Sequence, residues 1–424
     1  MRLLPPASRL FHTLSGDGWL LFATRGTRMF AYGFLSVVLL LYLKSEGLSE
    51  ERIGLLLTMT LLGDVVISLW ITTAADRIGR KRMLILGACL MAMVGVVFAL
   101  TANFLWLVVA ATIGVLSPSD KEVGPFLSIE QAALSQTVAD DQRTAVFAWY
   151  NLVGSVTAAF GALVGGFACQ QFLRVGTTGA AVYRPLVVAY GIVGVFLALG
   201  FTRLSPAAES RKTPAGLPQK RWLGLYRSRS VVLRLSALFA LDAFGGGFIL
   251  QSIVAYWFYV RFHLDPAALG SLFFVANLFA AASALGAAAL ANRFGLINTM
   301  VFTHLPSNVL LILVPLMPTV ELAVGVLLVR FCISQMDVPT RQSYTMAVVH
   351  PDERSAASGI TTVARSVGAA LSPILAGYCL ADSRLISFPF FIAGGVKIVY
   401  DIWLYRAFVA HDPDAVPEFE MPKK

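Results

Sequence analysis

The feature that most constrains this chain is a series of twelve long apolar segments separated by polar stretches. The hydrocarbon core of a bilayer is about 30 Å thick, and a helix crosses it with about 20 apolar residues. The segments occupy residues 18–43, 53–75, 83–102, 104–138, 145–168, 185–202, 231–258, 267–291, 297–317, 320–349, 355–380 and 386–409. The pattern predicts an all-α membrane protein with twelve transmembrane helices.

Composition narrows the class of protein. Of the 424 residues, 57% are hydrophobic and 13% are charged, whereas a soluble domain carries about 25% charged residues. The net charge of +9 comes without a basic patch or a nucleic-acid-binding motif, so no nucleic-acid partner is expected. Neither a metal, a cofactor nor a disulfide is expected, because the cysteines lie in apolar segments without metal-ligand spacing; they are Cys89, Cys169, Cys332 and Cys379.

The basic residues favour one orientation in the membrane. They concentrate at residues 77–82 and in the loop 203–229, and cytoplasmic segments carry the excess of lysine and arginine. Both termini of this multi-pass protein of the cell membrane are therefore predicted to be cytoplasmic. No removable signal peptide is expected, since the N-terminal residues lack an apolar core with a small-residue cleavage site. The predicted organisation is a cytoplasmic segment 1–17, a six-helix bundle 18–202, a linker 203–230, a second six-helix bundle 231–409 and a cytoplasmic tail 410–424.

The two halves of the chain repeat one another. A displacement of 216 residues places Gly54 on Gly270 and the stretch AADRIG on LANRFG. A displacement of 211 residues places Gln131 on Gln342 and GALVGG on SPILAG. Two pseudo-symmetric six-helix bundles in the same orientation are an architecture of secondary transporters, with the substrate site near the membrane midplane between the halves.

The stretch DRIGRKR at residues 76–82 resembles the loop signature of the major facilitator superfamily, of which only the leading glycine is replaced, by Thr72. Gly161, Gly165 and Gly166 resemble part of the fifth-helix motif of its proton-coupled antiporter branch. The resemblance covers essentially all of the chain. It implies the major facilitator fold and a transporter, not an enzyme.

Residues at the cytoplasmic ends of the helices are predicted to gate the transporter. The Asp76 carboxylate is expected to accept N–H groups at the start of the eleventh helix, because a helix N-terminus carries partial positive charge. Glu130 and Arg341 occupy equivalent repeat positions, and charges there resemble a gate whose salt bridges form and break; the alternative is a static ion pair. The predicted gating residues are Asp76, Arg77, Gly79, Arg80, Glu130 and Arg341.

Charges inside the apolar segments are candidates for proton and substrate binding, because an unpaired charge at mid-membrane costs at least about 2.5–3.5 kcal/mol. The leading candidates for the proton-carrying carboxylate are Asp120, Glu122 and Asp242, followed by Asp64 and Asp337. The residues predicted to bind an anionic substrate group, or to hold the emptied carboxylates, are Arg25, Arg28, Lys121 and Arg330.

Two further interpretations concern the partners of these charges. Arg25 or Arg28 is expected to pair with Asp242, because the 216-residue displacement places Asp242 opposite Gly26 in the helix that carries both arginines. His304 and Asn308 are interpreted as structural residues, because the resemblance implies that the ninth helix is peripheral.

The preferred interpretation is a monomeric secondary transporter that works by alternating access and couples proton entry to export of a small organic solute. An alternative is uptake of an organic anion, either proton-coupled or facilitated. A receptor that binds a solute without transporting it is disfavoured by short loops, which leave no room for a signalling domain. No protease, acyltransferase or metal-ligand constellation is recognisable. The expected partners are the solute, protons and the lipid bilayer.

Overall fold

The computed structural model describes residues 14–119, 125–138, 143–209, 225–350 and 353–408. Numbered along the chain, the α-helices are α1 Gly16–Ser45, α2 Glu50–Ile78, α3 Arg80–Leu100, α4 Phe104–Ile113, α5 Phe126–Thr137, α6 Arg143–Arg174, α7 Arg184–Phe201, α8 Arg229–Gly247, α9 Gln251–Phe262, α10 Pro266–Phe294, α11 Leu296–Leu313, α12 Val320–Phe331, α13 Asp337–Val348, α14 Arg354–Ala381 and α15 Phe388–Phe408. Short 3-10 turns occupy Gly179–Val182, Pro206–Ala208 and Val314–Leu316.

Ten stretches within these described ranges are long and apolar enough to cross a membrane. They coincide with ten of the twelve apolar segments of the sequence, and their ends differ from the predicted ends by a few residues. The prediction of an all-α membrane protein is confirmed.

The fourth, seventh and tenth apolar segments are not single helices, and the seventh contains α8 and α9. The fourth contains α4 and α5, and the tenth contains α12 and α13. In the fourth segment Pro118 and Pro125 lie between the two helices, where each lacks an N–H to donate along a continuous helix. A displacement of 211 residues carries α5 onto α13 residue for residue, so the fourth and tenth segments belong to the same position of the repeat.

Internal contacts divide the chain into two compact units. The first comprises Met1–Ala215, Gly247–Ala281 and Ala370–Pro389, and the second comprises Gly216–Gly246, Ala282–Ala369 and Phe390–Lys424. The boundaries pass through α10 and α14, so each of these helices contributes to both units. The two six-helix bundles suggested by the repeat remain a prediction.

The first unit is built around α1, whose side chains are almost all buried. Gly33 of α1 faces the backbone of Ala158, and Gly161 of α6 faces the backbone of Phe30. A side chain at either glycine would meet the neighbouring backbone, so glycine is what lets α1 and α6 pack closely.

Two further glycine contacts in the first unit are related by the repeat. A Cβ added to Gly54 of α2 would lie 2.9 Å from the Cα of Gly377 of α14. A Cβ added to Gly166 of α6 would lie 2.8 Å from the Cα of Gly270 of α10. Since Gly54 corresponds to Gly270 and Gly166 to Gly377, the same contact is made twice with the roles of the two halves exchanged.

The second unit has its own apolar core between α8, α11, α13 and α15. Its fully buried members are Leu235, Met300, Tyr344, Tyr400 and Leu404. This core supports the charged residues of the same four helices.

Candidate functional site

A buried carboxylate in the second unit binds three basic side chains. Asp242 of α8 is 2% exposed. Its Oδ1 lies 2.5 Å from Nζ of Lys397 in α15. Its Oδ2 lies 2.9 Å from Nη1 of Arg365 in α14 and 3.4 Å from Nη1 of Arg341 in α13. The Asp242 side chain therefore connects α8 with α13, α14 and α15.

The network continues from Arg341 along α13. Its Nη1 also lies 2.7 Å from Oδ2 of Asp337, one turn earlier in the same helix. The Arg341 guanidinium carbon stands 5.5 Å from the centre of the Phe239 ring. Arg341 and its two carboxylate partners, Asp242 and Asp337, are all buried, so solvent screens these salt bridges only weakly.

A histidine lies on the other side of Asp242. Nε2 of His304 in α11 is 3.7 Å from Oδ1 of Asp242, and its Nδ1 is 2.8 Å from Oδ1 of Asp401 in α15. Nδ2 of Asn308 donates to the other Asp401 oxygen at 2.9 Å. Asp401 itself is fully buried.

We refer to Asp242, Asp337, Asp401, Arg341, Arg365, Lys397 and His304 as the acidic–basic cluster. It contains three carboxylates and three permanent cations, so it is neutral when the imidazole is neutral. Arg365 differs from the other cations because 31% of its side chain is exposed. A charge that faced lipid would be costly, so this exposure favours a polar surrounding for Arg365.

Arg330 is a further cation of the second unit. It lies at the end of α12, is 9% exposed, and its guanidinium carbon is 5.3 Å from the centre of the Phe331 ring. Among the residues that the structure describes, its Nε has no hydrogen-bond partner. A buried N–H without a partner costs about 1–3 kcal/mol, which points to an additional ligand.

The first unit holds a separate buried ion pair. Nη1 and Nη2 of Arg28 in α1 bind the two oxygens of Glu130 in α5, both at 2.7 Å, and both side chains are fully buried. The Tyr150 hydroxyl donates to Glu130 at 2.5 Å, and the Arg28 guanidinium stacks 4.3 Å from the centre of the Phe126 ring. The pair is bidentate, which is the strongest arrangement available to arginine.

Arg25 lies one turn before Arg28 and packs against α6. Its Nη2 donates to the amide oxygen of Asn151 at 3.2 Å, and its guanidinium carbon is 4.5 Å from the centre of the Tyr150 ring. A Cβ added to Gly154 would lie 2.7 Å from Nε of Arg25. The 211-residue displacement places Gly154 on Arg365. In the first half the space beside Gly154 holds the Arg25 guanidinium, and in the second half the equivalent position carries a basic side chain of its own.

These contacts give the charged residues partners that the sequence did not predict. Arg28 binds Glu130, and Asp242 binds Lys397, Arg365 and Arg341. The pairing of Arg25 or Arg28 with Asp242 stays a prediction. The repeat nevertheless relates the two sites. Glu130 corresponds to Arg341, so an α1 base bound to an α5 acid is matched by an α8 acid bound to an α13 base.

The loop signature adopts a backbone that requires glycine. Gly79, between α2 and α3, has φ 115°, and its repeat equivalent Gly295 has φ 81°, both in the region that side chains disfavour. The Glu209 carboxylate accepts the N–H groups of Arg80 at 2.7 Å and Lys81 at 3.3 Å, so it caps the first turn of α3. Nη1 of Arg80 donates to the carbonyl of Ala132 at 3.1 Å.

A second acid outside the membrane-spanning segments holds the start of α8. Glu353 accepts the backbone N–H groups of Tyr226, Arg227 and Ser228 at 2.5, 2.7 and 2.8 Å. Burial acts to raise the pKa of Glu353, but these hydrogen bonds outweigh it and lower the pKa to about 2. The carboxylate is therefore charged across the physiological range.

Of the side chains of the remaining predicted site residues, the structure describes that of Asp64 and not the others. Oδ1 of Asp64 accepts a hydrogen bond from the Ser68 hydroxyl at 3.0 Å within α2. Asp120, Lys121 and Glu122 lie outside the described residues, and so do the side chains of Asp76 and Arg77.

Sequence analysis missed Arg365, Lys397 and Asp401. The signal was present, because each lies in the interior of the eleventh or twelfth apolar segment, where a charge is expensive. His304 was interpreted as structural from the expected periphery of its helix. The structure places its ring nitrogens near Asp401 and Asp242, and the structural interpretation stays a prediction.

Comparison with known proteins gives the chain a family. The family model of the Major Facilitator Superfamily matches residues 21–373. The uncharacterized membrane protein YJR124C of Saccharomyces cerevisiae is 29% identical over 431 residues, which cover 95% of this chain and 96% of that protein. The quinolone resistance protein NorA of Staphylococcus aureus is 25% identical over 179 residues, or 41% of this chain and 45% of that protein.

Solved structures share the fold at low sequence identity. The nucleoside transporter NupG superposes with a TM-score of 0.71 at 14% identity, covering 93% of this chain and 99% of that one. A D-xylose-proton symporter superposes with a TM-score of 0.69 at 13% identity, covering 92% and 97%. Because the family model spans well over half of the chain and the fold agrees, this multi-pass membrane protein belongs to the Major Facilitator Superfamily, a family of transporters and not of enzymes.

Proposed function

We propose that this protein is a secondary active transporter that works by alternating access and carries a small organic anion together with protons. The observation that carries this proposal is the binding of three cations to the single buried carboxylate of Asp242. A carboxylate or phosphate of a solute has the same chemistry as Asp242 and can take its place as a partner of these cations.

Arg365 is the cation that a solute would meet first, because 31% of its side chain is exposed while Lys397 and Arg341 are buried. Its planar guanidinium binds carboxylates and phosphates in a bidentate manner. Arg330 adds a further buried positive charge to the second unit, with an Nε that has no partner among the described residues. Both features support an anionic substrate over a cationic one.

Proton coupling is supported by the composition of the acidic–basic cluster. It contains carboxylates and a histidine, which are the groups that proton-driven carriers use. Since three cations bind Asp242, we assign this residue to the anion site. Asp64, Asp120, Glu122 and Asp337 remain candidates for a proton role.

A second candidate function is proton-coupled export of a small organic solute. The partial likeness to NorA, whose name describes quinolone resistance, favours it. The glycines that resemble the antiporter motif also favour it, since Gly161 and Gly165 pack against α1 and Gly166 against α10.

The experiment is a transport assay in proteoliposomes with an enclosed pH-sensitive dye and the membrane potential clamped. Under an outside-acid gradient, carboxylate, phosphate, cationic and neutral solutes are added in turn. We expect carboxylates or phosphates alone to carry protons inward, Arg365→Gln to abolish the movement and Arg365→Lys to retain part of it. Arg184→Gln is the matched control, because this arginine forms a surface salt bridge with Glu46.

Three results would contradict the proposal. Proton movement driven only by cationic or neutral solutes under an inside-acid gradient would support the export candidate. Equilibration of a labelled solute without proton movement would mean that the protein transports the solute by facilitated diffusion, without proton coupling. Equal losses of anion flux in Arg365→Gln and Arg184→Gln would remove the assignment of Arg365.

A further inference from the structure

We propose that His304 and Asp401 form the proton-binding site of the transport cycle, and that a proton on His304 frees Lys397 from Asp242 to bind the anion. The inference rests on the proposed function and deepens it. It is carried by the position of the His304 imidazole between two carboxylates, Asp401 at Nδ1 and Asp242 at Nε2.

The two ring nitrogens of His304 have unequal surroundings. A neutral imidazole carries one N–H. Nδ1 lies 2.8 Å from Oδ1 of Asp401 and 3.2 Å from Nδ2 of Asn308, and we assign the hydrogen to Nδ1 because the nearer partner is a carboxylate, which can only accept. Nε2 then directs a lone pair toward Oδ1 of Asp242 at 3.7 Å. A proton added at Nε2 turns this repulsive approach into an ion pair. The vacant position for the proton is therefore Nε2, and the carboxylate that feels it first is Asp242.

Asp401 supplies the compensating charge. It is fully buried, and the hydrogen bonds described for it come from His304 and from the neutral amide of Asn308. A buried carboxylate without a cation is costly, and an imidazolium at 2.8 Å would provide that cation. A proton on His304 would thus lie next to a buried carboxylate, which lowers the cost of the added charge.

His304 and Lys397 approach the same oxygen of Asp242. Lys397 Nζ is 2.5 Å from Oδ1, whereas Arg365 and Arg341 contact Oδ2. An imidazolium at Nε2 therefore competes with the lysine ammonium for Oδ1. Protonation also raises the cluster from neutral to a net charge of +1, which favours binding of one anionic group.

The charged and titratable groups near the histidine come from four helices. Asp242 of α8 and Tyr400 and Asp401 of α15 contact the imidazole. Lys397 of α15, Arg365 of α14 and Arg341 of α13 contact Asp242, and Asp337 of α13 contacts Arg341. Release of Lys397 toward a solute takes a positive charge away from the Asp242 oxygen that His304 approaches, so proton and anion strengthen each other's binding by the same factor.

The test measures protonation of His304 directly and needs no substrate. The full chain is labelled with ¹⁵N-histidine, placed in lipid nanodiscs and titrated while NMR records the imidazolium signal. Five histidines are present, and the His304 signal is the one lost in His304→Gln. Asp401→Asn is expected to lower the proton affinity of His304 at least about tenfold, because it removes the compensating carboxylate.

Lys397→Gln and Arg365→Gln form a matched pair, because each removes one positive charge that contacts Asp242. Competition for Oδ1 predicts that Lys397→Gln raises the proton affinity of His304 about tenfold and that Arg365→Gln raises it less than about threefold. Lys397→Arg keeps the charge and is expected to stay within about threefold of the natural protein. It serves as the folded reference if Lys397→Gln is poorly folded.

Equal effects of Lys397→Gln and Arg365→Gln would overturn the competition, and an Asp401→Asn variant with unchanged proton affinity would overturn the proton site. These failures are separable from failure of the proposed function. If His304 responds as expected but no anion moves protons in the proteoliposome assay, the proton site stands and the substrate class is wrong. If anions move protons and His304 does not respond, transport stands and the proton site is wrong.

Discussion

Arg28 and Glu130 form an ion pair from which water is excluded, so removing one partner leaves the other charge buried and uncompensated. We expect Glu130→Gln to destabilise the protein by about 3–5 kcal/mol. The pair of Arg184 and Glu46 is the control, because 49% of the Arg184 side chain is exposed and Arg184→Gln should cost less than about 1 kcal/mol. Denaturant unfolding in detergent micelles measures both, and equal losses would contradict the prediction.

The pH dependence of stability has an identifiable contribution from Glu353. The native pKa of about 2 lies below the usual glutamate value of about 4.3, so the unfolded chain binds more protons at acidic pH. The stabilisation by Glu353 is complete above pH 4.3 or so and is lost as the pH falls toward 2.

Glu353→Gln tests this contribution. We expect the variant to be clearly less stable than the natural protein at pH 7 and the gap between them to shrink as the pH falls from 5 to 3. The reason is that protonation of Glu353 in the natural protein removes the same negative charge that the substitution removes in the variant. Denaturant unfolding at several pH values measures the gap. A gap of constant size would show that the carboxylate charge is not responsible.

At this scale the sequence identified candidate residues better than their partners. Asp242 and Asp337 are predicted because a charge in an apolar segment must be compensated, and Arg341 because it aligns with Glu130. All three lie in the acidic–basic cluster. Repeat alignment predicts Arg25 or Arg28 as a partner of Asp242, because it places them on equivalent helices, but it does not predict that Arg28 binds Glu130. The bond to Glu130 depends on how α1 packs against α5, which periodicity and repeat alignment do not specify.

The contact between Gly54 and Gly377 lets α2 and α14 pack closely in the first unit. A valine at Gly54 places methyl groups where the Gly377 backbone of α14 lies. We expect Gly54→Val to separate α2 from α14 and to expose the neighbouring crevice, which is lined by residues including Leu40, Ile53, Leu57 and Ile253.

A cysteine introduced at Ile253, in a chain without its four natural cysteines, measures this opening by its rate of maleimide labelling. Gly54→Val should raise the rate at least about tenfold, which corresponds to about 1.4 kcal/mol of weakened closure. Gly325→Val is the matched control, because no atom lies within 4 Å of a Cβ built on Gly325. An unchanged rate in Gly54→Val would show that the glycine contact does not close this crevice.

Long, strongly apolar helices were predicted to within a few residues, because hydrophobic length is a direct physical requirement of the bilayer. The interruptions in the fourth, seventh and tenth segments were not predicted. Pro118 and Pro125 were recognised as losing helical hydrogen bonds, but local sequence does not say whether neighbours support a kinked helix or two separate ones.

For the whole molecule, the distribution of basic residues predicts that both termini lie on the cytoplasmic side. Tags fused to the two ends should be cleaved together when protease reaches the cytoplasmic face, and both should be protected when it reaches only the opposite face. A tag inserted after Gly176, in the turn between α6 and α7, is the control and should show the reverse pattern. Opposite behaviour of the two terminal tags would exclude an even number of membrane crossings.

Repeat symmetry was visible in the sequence because glycines and loop motifs align at fixed displacements. Gly79 and Gly295 confirm that it extends to backbone geometry, since both adopt positive φ. The charges do not follow the symmetry in sign. Their signs depend on pairing within each compact unit, which only the folded chain specifies.

The exchange of signs between the ion pair of Arg28 and Glu130 and that of Asp242 and Arg341 bears on the ancestry of the chain. Two copies of one ancestral half would have carried the same charges at matching positions. Glu130 and Arg341 differ in sign at a matching position, whereas Asp242 aligns with Gly26 and Arg28 with Phe244, so the partner stands at a different position of the repeated helix in each half. Each half therefore has its own partner for the shared α5 and α13 position, and a chain built from two identical copies would carry two acids or two bases at that position.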